Sequence, residues 1–328
     1  MFCNSIFLRD ILEEISGYEN TKSGKRRQVP AKTKKYEKRD YMGLIYIAPW
    51  LVGLLVLQIY PFVTSFYYSF TDYQFFNSPE FIGLGNYIKL FTKDPEFFKS
   101  LQVTIIYTLF TVPGKIIMAL FIALLLNKNM KGIGLIRTIY YIPSLFSGSV
   151  AVAILWKLLF MSDGAINSIL NTLGLPTVQW LGTESTAMVT ICLLEIWMFG
   201  SSMVMFLAAL KQVPADLYES ASLDGAGKVK SFFYITLPQI SPILFFNVIM
   251  QTITALQNFT SAFVVTNGGP NNGTYVLGMK LYNEAFKYFK MGYASAVSWV
   301  IFAMILVVTL LLFRFSSGRV YYEDGGDF

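Results

Sequence analysis

Histidine is absent from all 328 residues. That excludes a histidine general base, a Ser–His nucleophile and His-ligated zinc. Cysteine is nearly absent as well: Cys3 lies near one terminus and Cys192 within an apolar run. Two thiols so far apart make neither a disulfide framework nor a metal cluster. Charge is scarce, at 14% Asp, Glu, Lys and Arg, where soluble domains carry about a quarter. Apolar residues fill the gap, with 54% hydrophobic and 16% aromatic, a balance that points to a bilayer. Glu195 is the only acid deep in an apolar run, so no paired carboxylates are available there for acid–base catalysis. A phosphate cradle is missing too. GAGK at 225–228 has Val229 where a P-loop needs Ser or Thr, and Ser222 where it needs its first glycine.

The first 40 residues do not read as a secretory leader. An amphipathic stretch, IFLRDILEEI, is followed by the basic run GKRRQVPAKTKKYEKRD, and then by a long apolar segment without a small-residue cleavage site. That segment is expected to stay as an anchor, with residues 1–40 as a solvated basic tail. Crossing a bilayer takes about 20 apolar residues. Six segments qualify: 43–69, 101–126, 135–160, 185–210, 239–264 and 294–315. Pro113, Gly114 and Lys115 interrupt the second, and Pro143 and Gly148 the third. Such breaks survive in membranes where neighbouring helices or water satisfy the freed backbone groups. The expectation is an all-α polytopic membrane protein with six transmembrane helices.

Lysine and arginine placement sets the orientation. With the N-terminus inside, eighteen of these residues fall on the cytoplasmic side and seven outside, with Lys115 inside a span. Both termini are therefore expected in the cytoplasm. The organisation predicted is a tail at 1–40, a membrane domain at 41–316 with a cytoplasmic loop at 211–238, and a second cytoplasmic tail at 317–328. The net charge of +6 then reflects topology, and no nucleic-acid partner is expected. In the cytoplasmic loop, Pro214 and Asp216 suit a first helical turn. Gly225 is expected to break that helix, and a second helix to stop before Pro238. Phe232, Phe233 and Ile235 should pack on the spans or on a partner.

The loop residues resemble the cytoplasmic signature of the permease subunits of bacterial ATP-binding cassette importers, E-A-A, three residues, G, nine residues, then I-x-L-P. Glu219, Ser220 and Ala221 stand for E-A-A, Gly225 follows Asp224, and Ile235, Leu237 and Pro238 close the pattern. Ser220 for alanine is the one departure. The resemblance runs over most of residues 45–315 and is closest to the carbohydrate branch, through IAPWLVGLLVLQIYPF at 47–62, FIGLGNYIKLF at 81–91, IPSLFSGSVAVAILWKLLF at 142–160, GAINSILNTLGLP at 164–176, TNGGPNNGTYVL at 266–277 and GYASAVSWV at 292–300. It implies a type I importer transmembrane domain in a bacterial cell membrane. It also implies a second homologous permease, a cytoplasmic ATPase dimer and an extracellular sugar-binding protein as partners. ATP and magnesium would sit on the ATPases, and this chain would be non-catalytic with no cofactor. The loop would be the coupling helix, docking in an ATPase groove with Glu219 meeting a basic residue and Gly225 making the sharp turn.

Sugars are held by aromatic platforms and by amide or hydroxyl groups. Polar side chains deep in a membrane mark transport paths. The fifth span offers Asn247, Gln251, Thr252, Thr254, Gln257, Asn258, Thr260 and Ser261, with 251, 254, 258 and 261 at helical spacing. In the sugar-contacting permease of the maltose importer, which the chain resembles here, an asparagine pair lies shortly before the N-G-G-P stretch. Gln257 and Asn258 occupy those places, the glutamine being a departure. Gln251 and, on the fourth span, Glu195 and Trp197 complete the candidate substrate set. The plain alternative for these polar groups is hydrogen bonding between helices. Glu195 and Lys115 either pair or face water. Competing functions are a glycerol-phosphate-type or other non-sugar importer, in which the anion would need more than one deep lysine, and an ion-coupled secondary transporter, which would have no use for the coupling loop.

Overall fold

A computed structural model describes residues 40–128 and 130–316. The tails expected at 1–40 and 317–328 therefore lie outside the described residues, apart from Asp40. The chain divides into two compact units, 1–58 and 59–328. In the first, helix α1 (Asp40–Leu54) carries Pro49 in its interior and is followed by a π-helical turn at Leu55–Ile59. Pro61, just beyond the turn, can donate no bond to the Leu57 carbonyl within it, and a wide turn suits such a gap in the ladder.

The second unit is helical throughout, and its described residues form no strand beyond an isolated bridge between Thr71 and Phe81. Helix α2 (Tyr60–Ser69) leads through a turn to α3 (Gly85–Thr92). The buried Asn86 ties them, its Nδ2 donating to the carbonyls of Ser69 and Thr71 at 2.9 Å each. Helix α4 (Pro95–Leu126) is the axis of the unit. Asp94 caps it by accepting from the Phe97 N–H at 3.1 Å, and Pro95 occupies a first-turn position where its missing N–H is no loss. Its 32 residues reach about 48 Å at 1.5 Å each, so it overshoots a bilayer core of about 30 Å. Pro113 lies inside it without breaking it.

Around α4 stand three interrupted pairs. Helices α5 (Ile133–Leu145) and α6 (Val150–Leu159) meet at 102°. Then, after the short α7 (Ala165–Thr172), α8 (Glu184–Trp197) and α9 (Gly200–Gln212) meet at 44°. Past α10 (Ala215–Leu223), α11 (Lys228–Gln239) and α12 (Ser241–Leu256) meet at 69°. The short α13 (Leu277–Tyr282) and the long α14 (Met291–Ser316) complete the unit. Ala119, Ala123, Ile191, Met203 and Phe206 are fully buried between α4, α8 and α9. Small residues let these helices close up: a Cβ on Gly200 would lie 2.6 Å from the Tyr140 carbonyl oxygen on α5.

Three helical stretches are each long and apolar enough to cross a membrane, Ile45–Ser69, Pro95–Leu126 and Met291–Ser316, and the three bent pairs each carry enough apolar length together. The sequence segments at 135–160 and 185–210 are thus not straight spans. At 239–264 the correction is larger: α12 stops at Leu256, and a separate π-helical turn follows at Ala262–Thr266. The helix expected to end before Pro238 instead runs through it to Gln239. The cause is the π-helical turn at Phe232–Thr236, in which the Leu237 N–H reaches back to the Phe232 carbonyl. That widened turn makes room for a proline ring that would strike an ordinary helical ladder.

Candidate functional site

The α5–α6 and α8–α9 interruptions and the stop of α12 converge. A cavity of about 250 Å³ is lined by Ser147, Gly148 and Ser149 from the α5–α6 break, by Met198 from the α8–α9 break, and by residues 257–261 after α12. Tyr107, Thr111 and Lys115 on α4, Glu195 on α8, and Gln251 and Thr254 on α12 supply the rest of its polar wall. Gly148 has φ +76°, a left-handed conformation that suits glycine and lets the chain double back by 102° there.

The break after α12 holds the most informative group. The Gln257 and Asn258 N–H groups fold back on the carbonyls of Ile253 and Ala255, both at 3.2 Å. Asn258 Oδ1 accepts from Ser261 Oγ at 2.8 Å. Its Nδ2 is buried and has no hydrogen-bond partner. A buried unpaired amide donor is costly, about 1–3 kcal/mol, and Asn258 lines the cavity. Helix α13 packs directly on this break: a Cβ on Gly278 would sit 2.5 Å from the Asn258 carbonyl oxygen.

Charge in the cavity is balanced. Lys115 Nζ lies 3.4 Å from Glu195 Oε2, with side chains 6% and 16% exposed. Of the two fates open to this pair, pairing is the one observed, and both residues line the cavity. Gln251 lines the same wall while its Nε2 donates to Ser202 Oγ at 3.2 Å. Trp197 departs from the set. It is absent from the cavity wall and its ring lies against Trp156, centroids 5.5 Å apart. Asn247 is likewise elsewhere, buried with its Nδ2 on the Ile243 carbonyl at 2.9 Å. Tyr107, Thr111 and the Ser147–Ser149 turn were not among the sequence candidates. A Ser-Gly-Ser triplet inside an apolar run was the available sign for the turn.

The 211–238 loop forms a helical corner. Glu219 and Ser220 are exposed on α10, Ala221 is half-buried, and Asp224 is the C-cap. The Ala226 N–H bonds the Ala221 carbonyl at 2.8 Å and the Gly225 N–H the Ser222 carbonyl at 3.1 Å, with Gly225 at φ +73°. That pairing is a Schellman motif, which ends a helix on a left-handed glycine. Tyr218 Oη and Thr236 Oγ1, 2.8 Å apart, tie the two arms together. Ile235, Leu237 and Pro238 are half-buried beneath them. Phe232 is half-buried too, but Phe233, Tyr234, Val229 and Leu223 are 57%, 76%, 72% and 90% exposed. An apolar surface therefore faces out from the corner.

At the other end of the bundle lies a buried ion cluster. Lys280, 2% exposed, reaches Asp94 at 2.7 Å, Glu284 at 2.9 Å and Glu96 at 3.4 Å. Tyr293 Oη donates to Asp94 at 2.5 Å. Burial by itself would raise the Asp94 carboxyl. The hydrogen bonds from Lys280 and Tyr293 and the Lys280 charge outweigh it and hold the group below the ordinary carboxylate range. Burial would likewise lower the Lys280 ammonium, but hydrogen bonds and charge from Asp94 and Glu284 raise it instead.

Residues 82–319 match the family described as binding-protein-dependent transport system inner membrane component. The chain is 44% identical over 296 residues to the probable ABC transporter permease protein YesP of Bacillus subtilis (strain 168), an alignment covering 89% of this chain and 96% of that protein. It is 34% identical to the lactose transport system permease protein LacF of Rhizobium radiobacter, covering 85% and 95%. Among solved structures, a bacterial alginate ABC transporter in complex with an alginate pentasaccharide-bound periplasmic protein superposes with a TM-score of 0.74, over 85% of this chain and 95% of that one, at 22% identity. That last likeness speaks to the fold. A bundle of apolar helices broken around a polar cavity, a family match over most of the chain and relatives matched along nearly their whole length together place it: the chain belongs to the binding-protein-dependent transport system inner membrane components and is an ABC transporter permease.

Proposed function

We propose that this permease forms the pathway of an ATP-driven importer for a neutral saccharide. The observation that carries the reading is the cavity at the three helix breaks, walled by amides and hydroxyls and holding the unpaired Asn258 Nδ2. A sugar hydroxyl is the natural partner for such a donor, and it would satisfy the amide only when cargo is present. Asn258, Gln257 and Gln251 offer the directional contacts, and Tyr107 an aromatic face. Glu195 takes part as the partner of Lys115, while Trp197 lies outside the wall with its ring against Trp156. A phosphorylated cargo is disfavoured, because the one lysine in the cavity wall is already neutralised by Glu195. The lactose permease among the relatives supports a sugar substrate.

The chain itself carries no catalytic group in this scheme. ATP and magnesium are bound by a cytoplasmic ATPase dimer, and a second homologous permease completes the pathway. A sugar-binding protein delivers cargo from outside, a role supported by the periplasmic protein in the alginate transporter complex. Both termini and the 211–238 corner face the cytoplasm. Glu219, Ser220, Ala221 and Asp224 present the docking edge, Gly225 makes the turn, and Ile235, Leu237 and Pro238 anchor the corner to α12. The exposed Leu223, Val229, Phe233 and Tyr234 would be covered by the ATPase groove. Closure of the ATPases then moves the corner, and with it α12 and the break that holds Asn258.

The test is ATPase stimulation of the purified importer, with its binding protein, across a panel of neutral sugars, sugar phosphates, amino acids and metal ions. Stimulation by one or more neutral saccharides is expected. Stimulation confined to the other classes would overturn the sugar assignment.

A further inference from the structure

A second cavity, of about 480 Å³, opens beside the Lys280 cluster, its wall including Glu96, Asn272, Tyr275, Tyr282, Asn283 and Phe286. The volume falls within the range of about 300–1,000 Å³ usual for ligand sites. Its chemistry pairs aromatic faces with amides, the combination that suits a sugar ring with its hydroxyls. Asn283 Nδ2 donates to Tyr275 Oη at 3.0 Å, which fixes the orientation of both groups at the wall.

This cavity is joined to the one at the helix breaks by a line of rings. Phe286 lies 5.2 Å from Tyr282, Tyr282 lies 5.3 Å from Phe263 and 4.9 Å from Phe259, and Phe263 and Phe259 are stacked at 5.0 Å and 22°. Phe286, Tyr282 and Phe263 line the outer cavity, and Phe259 lines the inner one beside Asn258. The π-helical turn at Ala262–Thr266 contributes to this arrangement, since its extra residue per turn shifts the ring of Phe263 relative to an ordinary helix. Phe286, 59% exposed, stands at the open end of the line.

We propose that the outer cavity is an entry subsite for a saccharide, and that the four rings form a track along which the sugar passes to the inner cavity. The ring faces that open into either cavity would give a sugar an apolar platform, and the ring-to-ring contacts hold those platforms in line from one cavity to the other. The inference rests on the saccharide reading above and adds a second binding position to it.

The experiment uses the complete importer with its binding protein in proteoliposomes and measures initial uptake against concentration of a saccharide that the unaltered importer transports. Phe286→Leu keeps apolar bulk at an exposed site and removes the ring, so folding is not at stake. Tyr282→Leu is compared with Tyr282→Phe, which keeps the ring. The leucine variants are expected to raise the apparent KM by at least about threefold, the worth of one good aromatic contact, with Tyr282→Phe close to the unaltered importer. Unchanged KM in both leucine variants, or equal losses in Tyr282→Leu and Tyr282→Phe, would overturn the track. Failure of the unaltered importer to move any saccharide would instead count against the functional reading itself.

Discussion

Lys115 and Glu195 show how a charge survives in the middle of this bundle. Taking either ion out of water alone is prohibitive, and their separation of 3.4 Å provides the compensation. Removing one partner of a buried pair typically costs about 3–5 kcal/mol, whereas removing both is often neutral. Lys115→Met should therefore lower the melting temperature of the purified importer sharply, and adding Glu195→Gln should recover most of the loss. Equal melting of both variants would show that the two charges act independently. Asp94 and Lys280 make the corresponding argument for pH. The depressed Asp94 carboxyl contributes stability that is present above its unfolded value of about 3.9 and lost as pH falls through the lower folded value. The raised Lys280 ammonium contributes stability present below about 10.4 and lost only at higher pH still. Melting should thus be flat between these limits and fall on the acid side, and Asp94→Asn should flatten the acid limb. At this scale the sequence was informative where chemistry is rare: Glu195, Gln251, Gln257 and Asn258 all reach the cavity wall. Trp197 lies against Trp156 and outside that wall; an indole close in sequence to a useful polar group reads the same whether it faces a cavity or another tryptophan.

The elements explain what residue types cannot. Hydropathy windows respond to composition, not direction, so a pair of helices bent by 102° and a straight span give the same signal. The breaks at 146–149 and 257–259 are instead recorded in small and amide residues, Ser147, Gly148 and Ser149 in one and Gln257 and Asn258 in the other, set inside apolar runs. At the break after Leu256, α13 lies against the chain, a long-range contact that no local pattern specifies. Gly278 is the point of contact, and Gly278→Ala should push the Asn258 carbonyl away from its place. Uptake is expected to lose at least about tenfold, in line with losing one or two hydrogen bonds to cargo, while ATPase docking persists. Full uptake by that variant would mean that the break tolerates displacement. The backbone of the 211–238 corner was more legible, because a Schellman turn needs its left-handed residue in a fixed place. Gly225→Ala meets open space and pays only the left-handed strain, about 1–2 kcal/mol, so it should keep most activity. Gly225→Pro cannot adopt φ +73° and should abolish ATP-dependent uptake with membrane insertion intact. Insertion failure in the proline variant would assign the glycine to folding, not to coupling.

The whole molecule presents far more apolar surface than water permits. Leu57, Leu109, Phe110, Leu155 and Leu310 are each more than half exposed, and such surfaces are covered by lipid or by another subunit. Inside that coat, the long α4 and the broken helices together supply the polar groups of the cavity wall. Irregular backbone survives at membrane depth only where it is buried in protein or lines a cavity. Helices α11 and α12 run from the 211–238 corner to the cavity wall, the connection on which the proposed coupling depends. The measurement that tests this most directly is ATP-dependent saccharide uptake into proteoliposomes by the complete importer, with Asn258→Ala compared against the unaltered chain. The account predicts uptake by the unaltered importer and, in Asn258→Ala, a loss of about tenfold or more in kcat/KM with basal ATP hydrolysis preserved. Uptake by Asn258→Ala at the unaltered rate and KM would contradict it.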